Sequence, residues 1–176
     1  MKFFFLSQNK IIWVSKMEEK FVIIGGDAAG MSAASKAKRE DPDLDVIVFE
    51  KGDWVSYGAC GLAYYVKDEI ESLEDLIAIP AEKFRKKRNI DLRTNHEVVD
   101  IDPGNESVTV KNGNGTFEQH YDHLLIATGA RATSPPIEGK DLDGVFKLHQ
   151  LDSGKEIRDY VKGPDSPDSV GIIGGG

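Results

Sequence analysis

The apolar positions fall into short runs separated by glycine, proline and charge. Phe21 to Ile24 is the clearest run, and Gly25 and Gly26 break it. An unbroken apolar run of this length reads as a short buried strand. Gly30 to Arg39 (GMSAASKAKR) is rich in helix formers and predicts a helix. Asp41-Pro42 ends it, because proline cannot continue the ladder. Leu44 to Phe49 (LDVIVF) reads as a second strand, ending at Glu50. Strand, glycine turn, helix and strand predict a βαβ unit over residues 21–50, and with it an α/β fold on a parallel sheet.

The later pattern is more broken. Glu69 to Asp75 is polar and helical or irregular, and Pro80 to Phe84 reads as a helix start with proline in its first turn. Ile90 to Thr94 and Glu97 to Ile101 alternate weakly and fit strands. Ser107 to Val110, Lys111 to Gly115 and Thr116 to Tyr121 predict a β-hairpin, since Asn-Gly tolerates the positive φ of a tight turn. Leu124 to Ala127 is a buried strand ended by Thr128-Gly129. Ser134-Pro135-Pro136 and Gly163 to Pro167 read as linkers. Val170 to Gly176 (VGIIGGG) then repeats the opening strand and glycine turn. The expected organisation is a tail over 1–19, one domain over 20–162, and a linker with the first strand of a further unit over 163–176.

Composition narrows the function classes. The formal charge of −8 argues against a general nucleic-acid binder, because an acidic surface repels phosphate. Cys60 is the one cysteine, so no internal disulfide can form, which suits a reducing, cytoplasmic setting. The four histidines are scattered, and no His/Cys/Asp set has metal-ligand spacing. Phe3 to Leu6 and Ile11 to Val14 are each too short to span a membrane, and no small-residue cleavage site follows cleanly. The expectation is an added tail, with Met17 as the natural start.

Three stretches carry candidate chemistry. A glycine turn between a strand and a helix N-terminus lets backbone approach a pyrophosphate, with the helix dipole favouring its charge. Glu50 lies 20 residues beyond Gly30, where such a unit places its ribose-binding carboxylate. Asp27 stands where the G-x-G-x-x-G pattern has its second glycine. Cys60 lies among small residues in VSYGACGLAYYV. It reads either as a thiol activated at a helix start or as a buried structural cysteine. Arg85-Lys86-Lys87-Arg88 reads either as a solvated helix end or as a phosphate contact.

Four motifs fall in order: IIGGDAAGMSAASKAKR, VIVFEK, SYGACGLAYYV and YDHLLIATGAR, with VGIIGGG fifth. Together they resemble the flavin-dependent pyridine nucleotide-disulfide oxidoreductases. The closest likeness is to the single-cysteine branch of coenzyme A-disulfide reductases and NADH oxidases and peroxidases. The resemblance covers residues 20–176. It implies a Rossmann-like FAD-binding domain with an inserted β-hairpin, cut off at the start of the NAD-binding domain. It implies FAD held by Gly25, Gly26, Ala28, Ala29 and Gly30 at the pyrophosphate, by Glu50 and Lys51 around the ribose, and by Ala127, Thr128 and Gly129 at a second contact. It implies Cys60 as the redox thiol and a coenzyme A site at Ser32, Lys36, Arg39, Ser56 and Arg88. Lys36 and Arg39 share a helix face at i, i+3 and could reach one phosphate group.

The family's reaction takes hydride from NAD(P)H to FAD. A lone cysteine then cycles through a mixed disulfide with coenzyme A or through a sulfenic acid. The implied partners are a small-molecule substrate, coenzyme A disulfide or an oxygen species, and a second subunit in a homodimer. Ala63 replaces the proline usual after Cys-Gly-Leu, and Ala59 stands where some reductases have a polar coenzyme A contact. The alternative is a non-catalytic FAD- or nucleotide-binding fragment.

Overall fold

The computed structural model describes residues 3–7, 10–14, 19–164 and 166–174. β1 (Phe3–Ser7) and β2 (Lys10–Val14) pair antiparallel, so backbone order reaches into the expected tail. Met17 and the last two glycines of VGIIGGG lie outside the described residues. β3 (Lys20–Ile24), α1 (Ala28–Glu40) and β4 (Asp45–Phe49) form the predicted βαβ unit. β3 and β4 run parallel with Ile23 opposite Val48. α1 starts two residues before the expected Gly30. Asp27 is extended at its N-cap, and Met31 N–H makes the first helical bond to Asp27 O at 2.9 Å. The helix stops at Glu40 because Asp41 is extended ahead of Pro42.

After β4 come α2 (Leu62–Val66), α3 (Ala81–Arg88), β5 (Asp91–Arg93), β6 (Glu97–Asp102), β7 (Ser107–Asn112), β8 (Gly115–His120), β9 (His123–Ile126) and α4 (Leu151–Lys162). The central sheet is parallel, in the order β5-β4-β3-β9. The predicted hairpin is β7-β8, and β6 joins it to make a three-stranded antiparallel sheet. Its turn is Gly113-Asn114, and the positive φ of +132° falls at Gly115 rather than at the first Asn-Gly.

The strands sort their side chains by alternation. Ile23, Val46 and Val48 face Met31 and Ala34 of α1 and Phe84 of α3. Val22, Ile24, Ile47 and Phe49 face Val108 and Val110 of the antiparallel sheet. The result is three layers: helices, parallel sheet, antiparallel sheet. Both faces of β3 and β4 are covered, which is why Phe21 to Ile24 and Val46 to Phe49 are apolar at every position. His96 seals the second interface between Phe49 and Phe117, with ring centroids 6.1 Å from each. Its Nδ1 lies 2.8 Å from Thr94 O and its Nε2 3.0 Å from Asn112 Nδ2.

A third cluster joins α2 to α4 through Leu62, Tyr65, Leu73, Leu76 and Leu151. The approach is close: a Cβ on Gly154 would lie 2.6 Å from Leu62 Cδ2. Arg158 stacks over Tyr65 at 4.2 Å, donates to Glu71 O at 2.9 Å and pairs with Asp68 at 2.6 Å. Lys162 pairs with the same carboxylate. The Lys162 hydrogen bond, then the Lys162 and Arg158 charges, hold the Asp68 carboxyl below the usual aspartate value. A depressed folded value means stabilisation that is full above the ordinary aspartate range and is lost as pH falls through it. Asp68→Asn is therefore expected to lower the melting temperature at neutral pH. The gap from the unchanged chain should close below the ordinary aspartate range, as melts at the two pH values would read. An equal gap at both would contradict this clamp.

The strand expected at the repeated VGIIGGG does not form. Val170, Ile172 and Ile173 are exposed and in no element. No strand among the described residues pairs with them, and an apolar run without a neighbour has no ladder to join.

Candidate functional site

β3, β4 and β9 end at one edge of the parallel sheet, with Ile24 paired to Phe49 on one side and to Ile126 on the other. The segments that follow these strands therefore meet. Gly25 turns with φ +109°, and a Cβ on it would lie 2.3 Å from Ala127 O. Ala127 N–H donates to Ile24 O at 2.8 Å, which holds Ala127-Thr128-Gly129 against the turn. A Cβ on Gly30 would lie 1.9 Å from Gly25 O, so α1 can approach the strand only with glycine there.

Asp27 has φ −97° and needs no glycine, which is how an aspartate stands at that place in the pattern. Its side chain makes no capping bond to α1. The first-turn N–H groups of Ala28, Ala29 and Gly30, which have no partner inside a helix, are left for another acceptor at the positive end of a 13-residue helix. Glu50 leans back over the turn. Its Oε2 accepts from Gly26 N–H at 2.7 Å and its Oε1 from Gly52 N–H at 2.8 Å. Each oxygen keeps a further lone pair for a donor such as a ribose hydroxyl. Lys51 follows, exposed. Open amide donors, a bare backbone cradle and a carboxylate on one sheet edge fit the pyrophosphate and ribose of a dinucleotide such as FAD.

The segment carrying Cys60 is fastened to this turn. Ser56 N–H donates to Gly26 O at 3.0 Å, and Tyr57 N–H to Asp27 Oδ1 at 3.1 Å. On the far side, Ala78 N–H donates to Ser56 O and Gly58 N–H to Leu76 O, both at 2.8 Å. Ser56 takes φ +51° between these anchors. The chain then makes a 3-10 turn over Ala59–Gly61 and enters α2. Cys60 is exposed, which overturns the reading as a buried structural cysteine. Burial, then the charges of Asp27, Glu50 and Asp152, push the Tyr57 hydroxyl above the usual phenol value, so it stays a neutral donor at neutral pH.

A cleft of about 360 Å³ opens between α1, α3 and the Ser56 segment. It brings together four of the five predicted contacts: Ser32, Arg39, Ser56 and Arg88. Lys36 is not among them. Its ammonium pairs with Glu40 one turn on, and 64% of its side chain is exposed. The basic run divides in the same way. Arg85 donates to Leu92 O at 2.9 Å, and Lys86 pairs with Glu82 at 2.7 Å. Arg88 turns into the cleft. Arg39 has no ion pair among the described residues.

The sequence profile of the pyridine nucleotide-disulphide oxidoreductase family matches residues 19–176. The chain belongs to this family. It is 45% identical over 163 residues to the NAD(P)H sulfur oxidoreductase (CoA-dependent) of Pyrococcus abyssi, covering 93% of this chain and 36% of that protein. It is 36% identical over 156 residues to the NADH oxidase of Methanocaldococcus jannaschii, covering 88% and 35%. The reduced CoADR-RHD crystal structure from Bacillus anthracis superposes with a TM-score of 0.79 at 31% identity, covering 82% of this chain and 27% of that one. The chain thus spans about a third of the length of the curated relatives it matches. Members of the family are FAD-dependent and use NAD(P)H.

Two residues of this pyridine nucleotide-disulphide oxidoreductase chain escaped sequence reasoning. Asp27 looked like a defect in the glycine pattern, yet it anchors Tyr57. Ser35 lines the cleft and accepts a hydrogen bond from Arg88 at 2.6 Å. The signal for Ser35 was its spacing, one turn from both Ser32 and Arg39. No helix among the described residues is long and apolar enough to cross a membrane.

Proposed function

We propose that this chain is the first part of the flavin-binding domain of an NAD(P)H-dependent oxidoreductase that works through Cys60 on a small disulfide, coenzyme A disulfide. The observation that carries the reading is the pair of hydrogen bonds from Ser56 and Tyr57 to the glycine turn. They fasten the segment that carries the exposed thiol to the dinucleotide cradle, and Ser56 and Tyr57 themselves line the basic cleft. Gly25, Gly26, Ala28, Ala29 and Gly30 hold the FAD pyrophosphate, Glu50 and Lys51 the ribose end, and Ala127, Thr128 and Gly129 the second contact. Arg39 and Arg88, with the hydroxyls of Ser32 and Ser56, take the phosphates of coenzyme A. Lys36 is left out of that set.

The Cys60 thiolate attacks one sulfur of the disulfide. The S–S bond breaks, a mixed disulfide forms, and one coenzyme A leaves as thiolate. These 176 residues hold no second cysteine to resolve it. Bound FAD would supply the electron pair, taken from a nicotinamide, that splits the mixed disulfide, releasing the second coenzyme A as thiolate and leaving Cys60 as the thiolate again. The proposal includes a homodimer, as the family resemblance implies. It also includes a reducing cytoplasm, which keeps a lone exposed thiol available.

Mass spectrometry after incubation with coenzyme A disulfide tests the reading. One coenzyme A attached at Cys60 is the expected product. A Cys60 that a small aromatic disulfide labels but coenzyme A disulfide does not would contradict it.

A further inference from the structure

We infer that Ser35 is a positioning residue for Arg88, fixing the guanidinium that meets the ligand's phosphate in the α1–α3 cleft; this rests on the proposed cleft. Ser35 is 5% exposed, on the inner side of α1. Its hydroxyl has one proton, and the Oγ donates it to Met31 O at 2.7 Å. The lone pairs that remain accept from Arg88 NH1 at 2.6 Å. The proton's commitment to Met31 fixes the direction in which those lone pairs point. A second surface holds the same guanidinium. Its Cζ lies 5.0 Å from the centre of the Phe84 ring, and Phe84 is buried at the base of α3.

Arg88 is therefore gripped at one nitrogen and along one face. Its Nε and NH2 groups have no protein partner among the described residues. They are presented to a cleft that Arg39, Ser32 and Ser56 also line. A free arginine side chain loses rotamer freedom on binding, and a planar fork recognises an anion best when its plane is set beforehand. A merely structural serine would need no partner 53 residues away, because its bond to Met31 O already satisfies its proton.

Titration calorimetry on the full chain tests this with two probes, coenzyme A and inorganic pyrophosphate. Ser35→Ala is expected to weaken coenzyme A binding about tenfold, the scale of one hydrogen bond to a charged group. Ser35→Thr keeps the hydroxyl and is expected to stay within about threefold of the original chain, since threonine makes the same bond to the carbonyl one turn back. The deciding readout is the Arg88→Ala background. There Ser35→Ala should weaken binding no further, because the group it positions is gone. An equal loss from Ser35→Ala with and without Arg88 would overturn the positioning role, as would unchanged binding by Ser35→Ala alone. Pyrophosphate should follow coenzyme A through the series. If the original chain binds neither probe, the cleft reading and the positioning role fall together. If the original chain binds and Arg88→Ala weakens it while Ser35→Ala does not, the cleft stands and only the inference about Ser35 fails.

Discussion

Replacing Gly30 by alanine is expected to cost about 3 kcal/mol or more of stability and to remove flavin retention with it. The added Cβ would sit 1.9 Å from Gly25 O, a backbone atom that no rotamer change can move. Relief requires α1 to back away from β3. That motion opens the packing of Met31 and Ala34 on Ile23, in the larger of the two sheet-face cores. It also carries the first-turn N–H groups of α1 away from the turn they serve. Gly113→Ala is the control. A Cβ there meets nothing within 4 Å, and the expected change is within about 0.5 kcal/mol. Urea unfolding of the two variants checks the contrast. Equal stabilities would mean that the close approach of helix and strand does not matter.

Cys60→Ser is expected to abolish the coenzyme A adduct while leaving unfolding within about 0.5 kcal/mol of the original chain. The stability follows from exposure: Cys60 contributes to none of the three cores. The loss of chemistry follows from the atom. A serine hydroxyl is not ionised at neutral pH and does not exchange with a disulfide, whereas a thiolate does. Mass spectrometry reads the adduct and thermal melting reads the fold. An adduct of the same yield on the serine variant would place the reactive group elsewhere. A large drop in melting temperature would make Cys60 a packing residue.

The first half of the fold was legible because local and long-range requirements agree there. Phe21 to Ile24 and Val46 to Phe49 are apolar on every position, and both faces of their sheet are covered. Gly25, Gly30 and Glu50 could be placed by spacing, because a strand–turn–helix–strand unit has a fixed length. The legibility faded where side chains from distant segments decide the outcome. Lys36 and Arg39 share a helix face, yet Glu40 draws Lys36 off while Arg39 stays with the cleft. The four cations at 85–88 look alike in sequence. Leu92 O and Glu82 claim Arg85, Glu82 also claims Lys86, and Ser35 with Phe84 turns Arg88 inward.

α4 was missed for a different reason. Leu151, Gly154, Ile157, Arg158 and Val161 fall at helical spacing on its inward side, but Gly154 and Arg158 interrupt the apolar stripe as it reads in sequence. Its partners on α2 lie about 90 residues earlier, and only folding brings them together. Val170 to Ile173 shows the reverse case. The run is apolar enough for a strand, but no strand among the described residues pairs with it. Pattern licenses a strand, and a neighbour makes one.

The central claim is that the glycine turn of this chain holds FAD. The visible absorption spectrum of the purified chain, taken after mixing with FAD and desalting, tests it most directly. Flavin bands that stay with the protein, and that are lost from Gly30→Ala, are the predicted result. A colourless protein that is folded by its melting transition would contradict the claim.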